Sequence, residues 1–240
     1  MTTASERGFT IIELMLFLGI TGALFAALMF GVNANITQQR YRESVVNYST
    51  LLQDQYSEVS NTRNERDGNW KCEGGIVSQQ PTGGDARGTT SCVLLGRAVQ
   101  ISANGTTIKT SPVIGLEPAR QDSTSDITTL LAYHPNITSY GEETTSIDWG
   151  SSLATTNHEP STASFLILRS PASGLLRVFA SSSPLPADIS SIIAAGTAST
   201  KLTNCVQGDS GSLPIQSVSI DPRIAGPDGV ILNEVDPACA

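Results

Sequence analysis

The chain has 240 residues, a formal net charge of −8 and 14 Lys and Arg residues. Those basic residues form no cluster, which argues against a nucleic-acid-binding protein, because such proteins carry a basic patch. Aromatic residues make up only 5% of the chain, so the composition predicts a core of aliphatic side chains.

A long apolar run opens the chain at residues 9–32, and its only charged member is Glu13. A helix of that length spans about 36 Å, and the hydrocarbon core of a bilayer is about 30 Å thick. A secretory signal peptide has a shorter apolar stretch behind a basic end, and this run does not fit that description. The run therefore predicts a transmembrane helix.

Glu13 is the informative residue of this run. An ionisable side chain in a membrane helix costs about 2–3 kcal/mol and usually marks a function. The run contains no Lys, Arg or His that could neutralise Glu13. Either a group from outside the helix pairs with Glu13, or the side chain reaches the lipid headgroups.

The residues Arg-Gly-Phe-Thr-Ile-Ile-Glu-Leu at positions 7–14 resemble the cleavage and methylation signature of type IV prepilins. The resemblance covers residues 1–35. It implies that residues 1–8 are a leader, that a prepilin peptidase cuts between Gly8 and Phe9, and that the new amine of Phe9 is methylated. It also implies that Glu13 meets the N-terminal amine of a neighbouring subunit. Gly8 suits a peptidase groove that must approach the backbone closely.

The chain departs from many members of the family at Phe30. Many members have a proline where this chain has Phe30, so a proline kink is not available. Gly19, Gly22 and Gly31 are the weak points of this helix, and we expect any local melting on assembly between Gly22 and Gly31. The same small residues would also allow close helix packing.

The next segment, residues 33–62, continues the helix in amphipathic form. Its apolar residues recur at steps of three and four, which is helical periodicity. They are Tyr41, Val45, Tyr48, Leu52, Tyr56 and Val59. No proline interrupts residues 9–60, so the sequence predicts one helix of about 50 residues, about 75 Å long. Turn formers at residues 61–69 predict where it ends.

The remainder, residues 63–240, reads as a globular head of short strands separated by Gly, Pro, Ser and Asn turns. Strands are predicted at residues 91–102, 106–114, 164–169, 175–180, 202–206 and 215–220. The third and fourth of these should form a hairpin. Short helices are predicted at residues 126–133 and 187–195, and residues 141–162 read as a long surface loop. The fold class is α+β, with an antiparallel sheet packed on the outer half of the long helix. The resemblance implies the same pilin-like architecture.

Four cysteines all lie beyond the apolar run, in the part that would face an oxidising compartment. They allow three disulfide pairings, and we favour Cys72 with Cys92 and Cys205 with Cys239, because each pair is near in sequence and flanks loop-like residues. Free buried thiols are the alternative. In the family, a disulfide bounds a region similar in position to that between Cys205 and Cys239.

Catalytic and metal sites are not expected. The Gly-Asp-Ser-Gly run around Ser210 looks like the nucleophile loop of trypsin-like serine proteases, but the histidines that a triad needs, His134 and His158, stand in no matching context. Glu142, Glu143 and Asp148 could bind calcium loosely, although no EF-hand loop is present. We expect no enzyme activity and no cofactor.

The resemblance therefore predicts a structural subunit of a type IV pilus-like filament. Its expected partners are copies of itself and other pilins, the prepilin peptidase, an inner-membrane assembly platform, and membrane lipid before assembly. The precursor would lie in the cytoplasmic membrane and the assembled chain in an extracellular filament. Alternatives are a pseudopilin of a type II secretion system, a minor or tip pilin, and a single-pass membrane-anchored ectodomain.

Overall fold

The computed structural model describes residues 10–61, 69–86, 89–102, 104–119, 125–186, 188–196, 201–208, 215–234 and 237–239. The expected leader, with Gly8 and Phe9 on either side of the cleavage point, lies outside the described residues. Ser210 also lies outside them. The chain divides into two compact units, one up to Arg42 and one from Glu43 onward.

A single 50-residue helix, α1, runs from Ile11 to Ser60 and confirms the continuous helix expected from the sequence. It contains no proline, and its end at Ser60 coincides with the start of the turn formers. The helix remains regular through Gly19, Gly22 and Gly31. The structure therefore has no break at the glycines that were expected to be weak points.

The other elements are short. The strands are β1 Trp70–Glu73, β2 Ile76–Gln79, β3 Cys92–Ile101, β4 Thr107–Leu116, β5 Asn136–Ile137, β6 Glu143–Ser146, β7 Ser152–Ala154, β8 Ser164–Arg169, β9 Leu176–Ser181, β10 Leu202–Gln207, β11 Gln216–Ile220 and β12 Val230–Asn233. The helices are α2 Asp126–Ala132 and α3 Ser190–Ala194, with 3₁₀ turns at Asp148–Gly150, Pro227–Gly229 and Pro237–Cys239.

All strand pairs in the described part of the head are antiparallel, and they form three sheets. The largest has the order β5-β4-β3-β8-β9, with β6 also paired to β4. A second sheet has the order β12-β11-β10-β7, and β1 and β2 form a separate hairpin. Strands β8 and β9 form the expected hairpin, with Arg169 opposite Leu176. The α+β class with antiparallel sheets is confirmed, although the head has more than one sheet.

The prediction of a long surface loop at residues 141–162 was wrong. That segment contains β6, the turn Asp148–Gly150 and β7. Strand β6 pairs with β4 from Thr107 to Thr110, and all four of its side chains are exposed and polar or charged. A strand without alternating apolar residues gives no period-2 signal, so pattern reading misses it. The helix expected at residues 187–195 is shorter, Ser190–Ala194.

The largest sheet is covered on both faces. On one face, Leu95 and Ala98 of β3 lie in a buried cluster with Leu130 of α2 and Ile193 of α3. On the other face, Arg97 of β3 contacts the outer half of α1. Adjacent side chains of a strand point to opposite faces, and the register shift between Leu94 and Gly96 allows Leu95 and Ala98, three positions apart, to share one face. The sheet is therefore the middle layer of the head.

The two main sheets meet at the tip of the β3–β4 hairpin. There the backbone N–H of Leu153, in β7, donates to the carbonyl oxygen of Gly105 at 2.7 Å. Gly105 has φ +69°, and a Cβ at this position would lie 2.1 Å from the Leu153 carbonyl oxygen. Only glycine satisfies both the conformation and the close approach.

Two disulfides connect the head, and they are the pairs favoured from the sequence. Cys72 and Cys92 join the β1–β2 hairpin to β3, closing a separation of 20 residues. Cys205 and Cys239 join β10 to the C-terminal 3₁₀ turn, closing a separation of 34 residues. Both sulfurs of the second pair are fully buried against Ala154 and Ile215. Disulfides persist in oxidising compartments, so the two disulfides point to an extracytoplasmic location for this head.

We predict that the disulfides differ in their contribution to stability. By the chain-entropy estimate, Cys205→Ala/Cys239→Ala loses about 4 kcal/mol and Cys72→Ala/Cys92→Ala about 3 kcal/mol of unfolding free energy. The burial of Cys205 and Cys239 widens that difference, because their removal also opens a cavity. Guanidinium titration of the detergent-solubilised full chain, followed by tryptophan fluorescence, measures both values. A larger loss for the Cys72/Cys92 variant would contradict this ranking.

Candidate functional site: the apolar half of the long helix

The first half of α1 exposes large apolar side chains on every side. Within it, an 18-residue window has a mean hydropathy of 2.2, and none of that window is buried. The exposed side chains include Ile11, Ile12, Leu14, Met15, Leu16, Phe17, Leu18, Ile20, Leu24, Phe25, Leu28, Met29, Phe30 and Val32. By length and composition α1 can span a bilayer. An apolar surface of this extent requires lipid or other protein around it, so the candidate site is a surface rather than a pocket.

The polar groups of this surface are few. Between Ile11 and Val32 only Glu13 and Thr21 have polar side chains. The Thr21 hydroxyl donates within the helix, at 2.8 Å to the Phe17 carbonyl oxygen and 3.2 Å to that of Leu18. A hydroxyl satisfied in this way can enter an apolar medium at low cost. Glu13 is left as the group whose charge needs a partner.

Glu13 has a local role that the sequence analysis missed. Its backbone N–H donates to Thr10 Oγ1 at 3.3 Å, and the N–H of Leu14 donates to the Thr10 carbonyl oxygen at 3.1 Å. Thr10 therefore caps the helix, and Thr10-Ile11-Ile12-Glu13 has the Thr-x-x-Glu spacing of a capping box. A carboxylate in the first turn also interacts favourably with the helix dipole. The spacing was visible in the sequence.

The glycines of the apolar half do not pack against any residue that the structure describes. A Cβ added at Gly19, Gly22 or Gly31 would meet nothing within 4 Å there. No contact among the described residues therefore requires glycine at these positions. Packing of other helices against them stays a prediction.

The outer half of α1 is attached to the head by a buried apolar stripe. The stripe consists of Val45, Tyr48, Leu52, Tyr56 and Val59, each at most 2% exposed. These residues follow the helical periodicity read from the sequence. The segment from Glu43 to Ser60 therefore belongs to the head.

A buried hydrogen-bond chain fixes Tyr48 in this interface. Asn204 Nδ2 of β10 donates to the Tyr48 hydroxyl at 2.9 Å, and Ser161 Oγ donates to Asn204 Oδ1 at 2.8 Å. Burial raises the pKa of Tyr48, so its hydroxyl stays protonated at physiological pH. Tyr56 differs, because its buried hydroxyl has no hydrogen-bond partner among the described residues. Burial, and then the charge of Asp221, raise the pKa of Tyr56.

A second polar contact joins α1 to the largest sheet. Arg97 Nε donates to Gln55 Oε1 at 3.1 Å and lies 2.9 Å from Glu58 Oε2. Arg97 is 9% exposed, so this cation is nearly buried and depends on those partners. At the edge, Asn47 Nδ2 donates to Asp148 Oδ2 at 2.9 Å.

Of the residues considered for catalysis or metal binding, Ser210 lies outside the described residues, and the others form no metal-binding group. His134 and His158 are exposed turn residues with φ of 48° and 62°. Glu142 forms an ion pair with Lys109 at 2.7 Å, and Asp148 accepts from Asn47. The described residues contain no group of three or more His, Cys, Asp and Glu side chains that could hold a metal ion.

Comparison of the chain with family models, with curated proteins and with solved structures finds no match.

The two tyrosines of the stripe provide a matched test of the head interface. Tyr48→Phe leaves Asn204 Nδ2 buried without its acceptor, and we expect a loss of about 1–3 kcal/mol of unfolding free energy. Tyr56→Phe removes a hydroxyl that has no partner, so it should be neutral or stabilising. Denaturant titration of the two variants side by side measures the difference. Equal losses in both variants would contradict the assigned role of the Asn204 hydrogen bond.

Proposed function

We propose that this chain is the structural subunit of a type IV pilus-like extracellular filament, processed by a prepilin peptidase and polymerised through α1. The single observation that carries the proposal is the exposed apolar surface of α1, which holds one carboxylate near its start. The signature at residues 7–14 supports the same conclusion. A disulfide-bonded head fits a chain that works outside the cell.

The apolar half of α1 has two roles in this proposal. Before assembly it holds the precursor in the membrane, and afterwards the same surface packs against the helices of other copies. Lipid tails are as apolar as leucine, so helix packing in a membrane depends on close contact and on polar groups rather than on the hydrophobic effect. Gly19, Gly22 and Gly31 permit close contact, and Glu13 supplies the polar group.

Glu13 then sets the position of each new subunit. Cleavage before Phe9 creates an amine, and that amine of one copy pairs with Glu13 of another in the filament core. A carboxylate in an apolar medium is unfavourable until it finds such a partner, so the pairing drives each subunit to one register. The capping hydrogen bond at Thr10 uses the backbone of Glu13 and leaves the side-chain carboxylate available.

The head is displayed on the outside of the filament. Burial of the α1 stripe and the contacts of Tyr48 and Arg97 hold it on the helix. A pseudopilin or a minor pilin would be built in the same way. Filament length and abundance distinguish those members from a major pilin.

Substitution of Glu13 tests the proposal. Glu13→Gln keeps a side chain that suits a capping box but removes the charge, and Glu13→Ala removes both. We expect both variants to insert in the membrane, and to lower the sheared extracellular fraction about tenfold or more. That factor corresponds to about 1.4 kcal/mol, below the 2–5 kcal/mol typical of an unpaired buried charge.

The control is Thr10→Ala, which weakens the cap and keeps the carboxylate. Filament yield should then fall much less than in either Glu13 variant. If Glu13→Gln assembled like the wild type while Thr10→Ala did not, capping rather than charge pairing would be the role of this residue. Absence of any extracellular filament from the wild-type chain would remove the proposed function and favour an anchored ectodomain.

A further inference from the structure

An acidic groove runs along the outer half of α1, between that helix and strands β4 and β6. It has a volume of about 320 Å³, and its walls include Asp54 and Glu58 from the helix and Glu143 from β6. Thr50, Thr110 and Thr145 supply part of the uncharged lining. The groove is open to solvent, and Asp54 and Glu143 in its walls are exposed.

The charges around this groove are only partly compensated. Glu58 is 2.9 Å from Arg97 Nε, and Glu142, next to the groove, pairs with Lys109 at 2.7 Å. Asp148, at the end near Asn47, accepts a hydrogen bond from that residue. Asp54 and Glu143 form no ion pair with any residue that the structure describes. Two carboxylates that line one groove repel each other, and a cation placed between them relieves that repulsion.

The same chain has a cation suited to this position. Within the described ranges, Lys71, Arg97, Lys109, Arg177 and Arg223 are all in ion pairs. Arg169 donates to two carbonyl oxygens, Lys201 lies near Asp221, and Arg40 has a partner. Arg42 remains, exposed on α1 and without a partner among the described residues.

Arg42 cannot reach Asp54 of its own chain. The two residues are twelve positions apart on one helix, which is about 18 Å along its axis and far beyond the length of an arginine side chain. A second copy with a parallel helix, displaced by that distance, brings its Arg42 level with Asp54 of the first. Parallel helices displaced along their axes are what the proposed filament provides.

We propose that this groove is an interface between copies of the chain and that it receives Arg42 of a second copy between Asp54 and Glu143. The inference rests on the proposed filament function and adds a specific contact to it. Glu13 pairs with the amine of a copy displaced by about 6 Å along the helix axis, whereas the groove contacts a different neighbour, displaced by about 18 Å. Exposed ion pairs are individually weak, and each is worth about a 1.4-fold to 5-fold change in an equilibrium constant. In a polymer, however, each subunit makes the contact twice, once through its Arg42 and once through its groove.

Crosslinking tests the contact directly. All four native cysteines are in disulfides, so the variant Arg42→Cys/Asp54→Cys has two free thiols. A bismaleimide with a spacer much shorter than 18 Å cannot bridge them within one chain, so it should join neighbouring copies into a ladder of covalent multimers in assembled filaments. The two single variants and Arg42→Cys/Asp228→Cys are the controls, and they should give no ladder. Filaments of the double variant that yield only monomers after crosslinking would overturn the proposal.

A charge-swap series gives an independent readout if the cysteine variants assemble poorly. We expect Arg42→Glu to lower the extracellular filament fraction about twofold to fivefold. The combined variant, which adds Asp54→Arg and Glu143→Arg to Arg42→Glu, should restore that fraction. Lys201→Glu makes the same change in charge away from α1 and should leave the yield unchanged. If Arg42→Glu matched the wild type, or if the combined variant gave no recovery, the groove contact would be excluded while the filament itself remained. A wild type without filaments would instead remove the proposed function.

Discussion

One continuous helix must satisfy two environments, and the rest of the structure depends on that constraint. Up to Val32 its side chains are apolar except at Glu13 and Thr21, and from Val45 to Val59 one apolar stripe is buried. A helix satisfies its backbone hydrogen bonds internally, so the same element can be used in lipid, in protein and against a sheet. The change in side-chain pattern along α1 therefore separates an exposed apolar half from a half that is packed on the head, within one continuous helix.

The head depends on the second half of that helix. The stripe supplies a row of buried apolar side chains, and the contacts of Tyr48 with Asn204 and of Arg97 with Gln55 and Glu58 add directional constraints. Buried polar groups are costly when unpaired, so a shifted helix would leave several of them without partners. In the proposed filament, these buried hydrogen bonds would keep each head from sliding on its helix.

Much of this architecture could be predicted from the sequence, and the failures have physical reasons. The helix, its end at Ser60 and six strands followed from periodicity, because those elements bury apolar side chains regularly. Strand β6 was missed because its four side chains are all exposed and polar or charged, and its stability comes from pairing with β4. The partners of Tyr48 and Arg97 could not be predicted, since each contact joins residues far apart in sequence. Thr10 differs from these residues, because its Thr-x-x-Glu spacing with Glu13 indicates a helix cap and is present in the sequence itself.

The measurement that tests the central claim most directly is the intact mass of the chain recovered from filaments sheared off the cell surface. The proposed function predicts a chain that begins at Phe9, is heavier by one methyl group, and is lighter by four hydrogens because of its two disulfides. A full-length chain that begins at Met1 and remains in the membrane fraction would contradict it, and α1 would then be the anchor of a single-pass ectodomain.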